Sequence, residues 1–142
     1  MKRPLGEQLR RMRQKGSALL EASLVLMLFL TLMLSLFDFG IALFRYQSIV
    51  HEARAGARYG AVNPNDLTAI KNMVLYNRTT GSGTGYMGLS PSSVTVARNG
   101  TSGGPDDRIV VTVSGFNFTL LTPGFAGTKT GKTIAVTIPV EN

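Results

Sequence analysis

The 142-residue chain contains no cysteine and a single histidine, His51. Without cysteine there can be neither a disulfide framework nor a thiolate metal site. A single histidine also removes most histidine-based metal sites and charge relays. No serine, histidine and acid set and no carboxylate pair has catalytic spacing, so we expect no enzymatic activity and no cofactor.

Charge is absent from the stretch between Glu21 and Asp38, where nearly every position around a helix is apolar. This pattern is typical of a helix that faces lipid. The stretch is about 24 Å long at ~1.5 Å per residue, shorter than the ~30 Å hydrocarbon layer of a bilayer. A transmembrane part within about residues 18–44 therefore places one acid in lipid: Glu21 if the span begins near Ala18, or Asp38 if it ends near Phe44.

The net charge of +7 is unevenly distributed, because residues 1–15 hold six basic residues and one acid. A basic block directly before an apolar run is typical of the cytoplasmic flank of a membrane helix. The rest of the chain then lies on the far side of the membrane. We expect a lipid bilayer, and not nucleic acid, as a partner.

The helical pattern continues beyond the apolar run and stops before Asn63-Pro64, which predicts one helix of roughly 70 Å over residues 17–62. One face near its end carries mostly small residues, which permit close approach of another backbone or sheet. These residues are Ile49, Ala53, Gly56, Ala57 and Gly60. His51, Arg54 and Arg58 are predicted on the opposite, solvated side.

Residues 63–142 indicate a small α+β domain. Asn65 or Asp66 can cap a short helix in which Leu67, Ile70 and Val74 share a face. Apolar residues then alternate with period two, which predicts three antiparallel strands. The alternating residues are Val94 and Val96, then Ile109, Val111 and Val113, then Ile134, Val136 and Ile138.

The predicted middle strand changes its apolar phase at Ser114-Gly115, so that Phe116, Phe118 and Leu120 follow on even positions. Such a slip at a glycine indicates a bulge or bend. Residues 127–133 are predicted as turn material, one residue short of the spacing of a phosphate-binding loop. Pro139 restricts the last strand to a sheet edge or to its own end. The small-residue face of the long helix is the obvious cover for this sheet.

Gly16 and Glu21 complete a pattern of basic block, glycine, acid five positions later and apolar helix. This pattern resembles the processing site of type IV prepilins. The resemblance implies that a prepilin peptidase cuts between Gly16 and Ser17, so that Glu21 becomes the fifth residue of the mature chain. It also implies that the Glu21 carboxylate meets the new amino terminus during assembly. The alternative is an interfacial glutamate whose carboxylate reaches water.

The resemblance extends over residues 16–122, with Asp38-Phe39-Gly40 and residues 53–59 as specific pieces. The chain resembles the TadE-like family, minor pilins or pseudopilins of the tight-adherence (Flp, type IV) pilus system. This implies a pilin-like fold and a role in assembling an adhesive pilus. The implied partners are the prepilin peptidase, other pilins and pseudopilins, and the inner-membrane assembly platform. Ala22 stands where major Flp pilins typically carry tyrosine, and this favours a minor subunit over the main one.

The sequence thus predicts an α+β, single-pass protein of the bacterial inner membrane with a cytoplasmic amino terminus. Its expected parts are a leader (1–16), a long helix (17–62) and an extracytoplasmic domain (63–142). Glu21 and Asp38 are the candidate assembly residues. Arg54 and Arg58 either contact neighbouring subunits or lipid headgroups, or form an exposed face.

Two other functions fit the same residues. The chain is then either an uncleaved membrane scaffold of an envelope machine, or a secreted binding domain released at the small-x-small sequence Ala53-Arg54-Ala55.

Overall fold

The structure is a computed structural model that describes the backbone of residues 5–141 and the side chains of residues 17–141. The first part of the expected leader, residues 1–4, lies outside this range. In the described part of the chain, two α-helices and two short 3-10 helices precede five strands. The α-helices and strands are α1 (Leu5–Val62), α2 (Leu67–Tyr76), β1 (Val94–Asn99), β2 (Arg108–Val113), β3 (Asn117–Leu120), β4 (Gly127–Thr130) and β5 (Ile134–Pro139).

Helix α1 is continuous over 58 residues, about 87 Å at ~1.5 Å per residue. It begins 12 residues before the predicted start and ends at Val62, as predicted. The end has a local cause, because Asn63 precedes Pro64 and a residue before proline is disfavoured in helical conformation. Among the described residues, the helical stretch Ser17–Val62 is long and apolar enough to cross a membrane, by length and composition.

Three strands form an antiparallel sheet in the order β1-β2-β5, which confirms the three predicted strands. In the central strand β2, Ile109, Val111 and Val113 are all fully buried. β5 is an edge strand and Pro139 is its last residue. The missing N–H of proline therefore interrupts no internal part of the sheet.

The chain forms a second sheet that the sequence pattern did not predict. Gly115 adopts a φ of +67°, which L side chains rarely take, and the chain leaves β2 there. β3 then pairs antiparallel with β4 as a hairpin. The prediction of turn material at residues 127–133 was therefore wrong for Gly127–Thr130. All four residues of β4 are exposed, so no buried alternating face marks them as a strand.

The helix packs on the domain through the predicted small-residue face, whose five members are all buried. A Cβ atom built on Gly56 would lie 2.3 Å from Val74 Cγ2 and 3.2 Å from the carbonyl oxygen of Ile70. A Cβ atom on Gly60 would lie 2.8 Å from Ile70 Cδ1 and 3.0 Å from Ile109 Cγ2. Gly56 therefore allows α1 to approach the backbone of α2 more closely than a side chain permits, and Gly60 leaves room for the side chains of Ile70 and Ile109.

Asp66 caps α2, with Oδ1 accepting a hydrogen bond of 2.8 Å from the N–H of Ala69. Ile70 and Val74 are fully buried, as their spacing predicts. Leu67 does not share their environment, since 40% of it is exposed. The first turn of α2 lies at the rim of the core, so this part of the predicted face was wrong.

An ion pair between Arg98 and Asp107 closes the loop between β1 and β2. Arg98 Nε donates to Asp107 Oδ1 at 2.8 Å, and the N–H of Gly103 donates to Oδ2 at 2.9 Å. The hydrogen bonds from Arg98 lower the pKa of Asp107 to about 2. Arg98 Nη1 also donates to Asn65 Oδ1 at 2.6 Å. The pair thus ties this loop to the segment that follows α1.

The packing at Gly56 predicts that Gly56→Val destabilises the domain by about 1–3 kcal/mol, the usual effect of overpacking. The added side chain collides with Val74 and with the backbone of α2. Thermal and denaturant unfolding of the detergent-solubilised protein would measure the loss. Gly40→Val is the matched control, because a Cβ atom there meets nothing within 4 Å among the described residues. Equal stability of the two variants would contradict the packing argument.

Candidate functional site

Glu21 lies exposed on α1, in the part of the helix that carries the apolar run. It shares a stripe with Ala18, Ala22, Val25 and Phe29, and the small side chains leave a shallow depression beside the carboxylate. Within residues 17–141 no hydrogen bond or ion pair engages the side chain of Glu21. The structure therefore presents this acid at an open helix surface.

Asp38 has the opposite environment, although it lies on the same helix. Only 6% of it is exposed. Its Oδ2 accepts three hydrogen bonds: from the N–H of Leu121 at 2.8 Å, from the N–H of Thr122 at 2.7 Å and from Thr122 Oγ1 at 2.6 Å. The carboxylate is thus bonded to the turn that follows β3.

The β3–β4 hairpin brings this turn to the helix. Arg45 Nη1 donates a long hydrogen bond of 3.5 Å to the carbonyl oxygen of Asn117, at the start of β3. Leu121 and Thr122, just after β3, contact Asp38. β3 therefore runs antiparallel to α1, and the turn of the hairpin points toward the apolar end of the helix.

The turn itself has its own hydrogen bond. The N–H of Phe125 donates to the carbonyl oxygen of Thr122 at 3.1 Å. Gly124, between them, adopts a φ of +88°, and glycine takes this conformation without the strain of a side chain. The sequence Thr122-Pro123-Gly124 therefore forms a tight turn, and the N–H groups of Thr122 and of the preceding Leu121 donate to Asp38.

The structure does not bring the other predicted site residues together with Asp38. Glu21 lies about 26 Å away along the axis of α1, at ~1.5 Å per residue. The Gly16–Ser17 peptide bond lies inside α1. Arg54 and Arg58 are exposed near the end of the helix, as predicted, on the side away from the core.

The sequence reasoning missed Leu121 and Thr122 as partners of Asp38. It expected Asp38 to pair with another helix or to mark the membrane interface. The sequence does contain a turn sequence, Thr122-Pro123-Gly124, and an acid near the end of the apolar run, Asp38, for which it gives no partner. That signal does not specify the pairing.

Residues 16–58 match the family model of the TadE-like proteins. This segment of the chain is similar to the TadE-like proteins. The match begins at Gly16 and includes Glu21, Asp38 and most of the small-residue face, so it confirms the resemblance over that range. It ends before α2 and all the strands, and the resemblance over residues 59–122 stays a prediction. Comparison with curated proteins and with solved structures found no match.

The TadE-like segment indicates a role related to tight-adherence pilus systems. The same segment contains the apolar helix that is long enough for a single-pass membrane anchor. The family match and the anchor therefore fall on the same residues. The family match does not extend to the α+β domain that follows these residues.

The hydrogen bonds of Asp38 predict that Asp38→Leu loosens the β3–β4 hairpin from the helix. The leucine fills the site but accepts no hydrogen bond, so two backbone donors lose their partner. Hydrogen exchange at Leu121 and Thr122 should then become much faster, while exchange in β2 stays unchanged. Thr122→Ser is the control, since it keeps both the hydroxyl and the backbone donors. Unchanged protection at both amides in Asp38→Leu would contradict the assignment.

Proposed function

We propose that this protein is a minor pilin or pseudopilin that takes part in assembling a tight-adherence (Flp, type IV) pilus. The observation that carries the proposal is the TadE-like match, which begins at Gly16 and covers the apolar helix with Glu21. A prepilin peptidase cuts after Gly16 and leaves Ser17 as the new amino terminus. The role is structural, without catalysis or a cofactor.

The contrast between the two acids supports a specific part for Glu21. Asp38 is bonded within its own chain, whereas Glu21 lies exposed on the apolar helix. On insertion scales a carboxylate costs about 2.5–3.5 kcal/mol at the centre of a bilayer and less toward its edge, so Glu21, near the start of the span, carries part of that cost. The ammonium group of a neighbouring Ser17 reduces that cost when subunits come together. Glu21 then favours association in a way that Asp38 does not.

The surface around Glu21 is suited to a neighbouring helix. Ala18 and Ala22 flank the carboxylate and leave a depression in the apolar stripe. In membranes, helices associate through small residues that let their backbones approach. The partners are other pilins and pseudopilins of the system, together with its inner-membrane assembly platform.

The basic residues before Gly16 support an orientation with the amino terminus in the cytoplasm. The α+β domain then lies outside the inner membrane, where it is available to the pilus. Arg54 and Arg58 are exposed on that side and are available to neighbouring subunits or headgroups.

An uncleaved single-pass scaffold protein is the second candidate function. One observation favours it: α1 runs without a break from Leu5 through the Gly16–Ser17 bond, whereas a protease acts on an accessible backbone. A released secreted domain is less consistent with the fold. Ala53, in its small-x-small site, is fully buried against the domain.

Amino-terminal sequencing separates the first two candidates. The full chain would be expressed in membranes with the cognate prepilin peptidase and, in parallel, with a peptidase whose catalytic aspartates are replaced. We expect the mature protein to start at Ser17 only with the active enzyme. Gly16→Leu is expected to block the cut, with Gly6→Leu as the control. A chain that still starts at Met1 beside the active peptidase excludes the pilin.

The exposed position of Glu21 predicts that Glu21→Ala leaves membrane insertion intact and weakens association with partner pilins. Loss of ~1.4 kcal/mol of association free energy corresponds to about tenfold weaker binding. Crosslinking yields in membranes would report this loss. Glu141→Ala, an exposed acid at the other end of the chain, is the control for charge. Wild-type yields for Glu21→Ala would contradict the assembly role.

A further inference from the structure

We propose that the hairpin tip, residues 121–126 between β3 and β4, inserts into the membrane leaflet nearest the domain. The protein then contacts the bilayer at two places, α1 and the tip. The proposal depends on α1 as the membrane anchor and goes beyond the pilus role, which it does not require.

The direction of the hairpin places its tip at the membrane side of the domain. β3 starts beside Arg45 and the tip contacts Asp38, so the hairpin descends along the helix. Ser35, earlier still on α1, lines the groove that the tip residue Phe125 also lines. The tip therefore reaches the part of α1 that carries the apolar run.

The tip exposes large apolar side chains that no part of the domain covers. Leu121 is 67% exposed and Phe125 is 71% exposed. On α1, Phe39 lines the same groove as Phe125 and is itself 65% exposed. The apolar surface of the anchor thus continues onto the tip without a polar break, and lipid is the environment that the anchor already requires.

Simple lengths place the tip at the boundary of the hydrocarbon layer. Asp38 lies about 32 Å from Ser17 along the helix at ~1.5 Å per residue, and the hydrocarbon layer is ~30 Å thick. If the layer begins at Ser17, just past the basic block, the tip lies at its opposite edge. If it begins at Glu21, the tip lies about 5 Å inside the layer. Both placements bring Leu121 and Phe125 into contact with lipid.

Three of the five N–H groups of the tip, those of Leu121, Thr122 and Phe125, have acceptors within the chain. In a medium without water every unsatisfied N–H group costs several kcal/mol. The N–H groups of Leu121 and Thr122 donate to Asp38, and that of Phe125 donates to the Thr122 carbonyl. Pro123 has no N–H group to satisfy. Asp38 thus serves as the internal acceptor for two of these groups, and the N–H groups of Gly124 and Ala126 stay available to water and headgroups at the interface.

Positive side chains lie on the domain side of the tip. Arg45 is beside the start of β3, Lys129 pairs with Phe118 in the hairpin, and Lys132 follows β4. Both lysines are exposed. An apolar tip with cations behind it matches the order of acyl chains and phosphates in a leaflet, since lysine and arginine reach toward phosphates with their long side chains.

Depth-dependent quenching tests the insertion on the full chain. Because the protein has no cysteine, a single cysteine can carry an environment-sensitive fluorophore at position 121 or 125. The protein would be reconstituted at low density in vesicles of phosphatidylethanolamine and phosphatidylglycerol with doxyl-labelled lipid. We expect doxyl lipid to remove most of the fluorescence at both positions and aqueous iodide to remove little.

Two other positions calibrate the measurement. Leu28, in the middle of the apolar run, reports insertion of α1. Thr101 is exposed in the loop between β1 and β2. Arg98 ties this loop to Asn65, just after the end of α1. The end of α1 is about 36 Å from Asp38 along the helix axis. Iodide but not doxyl lipid should quench a label at Thr101.

The double variant Leu121→Ser with Phe125→Ser, labelled at Pro123, tests the cause. We expect its quenching by doxyl lipid to fall to the level of Thr101. Leu67→Ser, an exposed leucine elsewhere, is the matched control and should leave the Pro123 signal unchanged.

Three outcomes overturn the proposal. The first is iodide quenching at 121 and 125 equal to that at Thr101, with Leu28 in lipid. The second is shielding of both tip labels from both quenchers, which means that a protein surface covers the tip. The third is a Leu28 label in water, which removes the anchor itself. None of these depends on cleavage after Gly16, so failure here is distinguishable from failure of the pilin role.

Discussion

Close contact between a membrane-type helix and a small domain is the constraint on which this structure depends. A helix that is apolar all around is buried either in lipid or in protein along its whole length. In α1 the two kinds of surface occupy different parts of the helix. Bulky apolar residues extend up to Phe44, and a face of alanine and glycine extends from Ala53 to Ala61. Gly56 and Gly60 let α2 and β2 approach until side chains would collide. The domain is thereby fixed to the anchor without a hinge.

Rigid attachment gives the hairpin its importance. The sheet is held by the end of α1, and the β3–β4 hairpin lies along the segment of the helix before it. Asp38 fixes the hairpin there with three hydrogen bonds. A helix acid thus acts as a local acceptor for a turn, and the domain is attached to α1 at two levels. The ion pair between Arg98 and the buried Asp107 closes the opposite end of the domain.

The two acids that flank the apolar run have the same carboxylate group but different surroundings. Both are carboxylates on one helix, and both raise the same difficulty in a bilayer. Asp38 finds its donors in its own chain, which makes it a structural residue. Glu21 lies on a surface where only a partner or water can supply donors. We therefore assign the proposed role in assembly to Glu21, whereas Asp38 holds the hairpin in place within the protomer.

The elements that the sequence predicted share one property. β1, β2 and β5 each alternate apolar and polar residues over a buried face, and the small-residue face of α1 recurs every three or four positions. These periods are local and can be read along the chain. β4 lacks them, because it is an exposed edge strand held by backbone hydrogen bonds to β3. Leu67 has the correct spacing in α2, but the core ends before it.

The sequence alone determined the anchor, its length, the glycine and acid near its start, and the face that packs on the sheet. All of these follow from side-chain type and spacing within one helix. Only the tertiary structure decided that Asp38 is satisfied within the chain and that an apolar hairpin tip lies beside the anchor. Those contacts join residues 83 and 84 positions apart. Hydrogen bonds over such separations depend on where the packed sheet places the chain, and no local period encodes that placement.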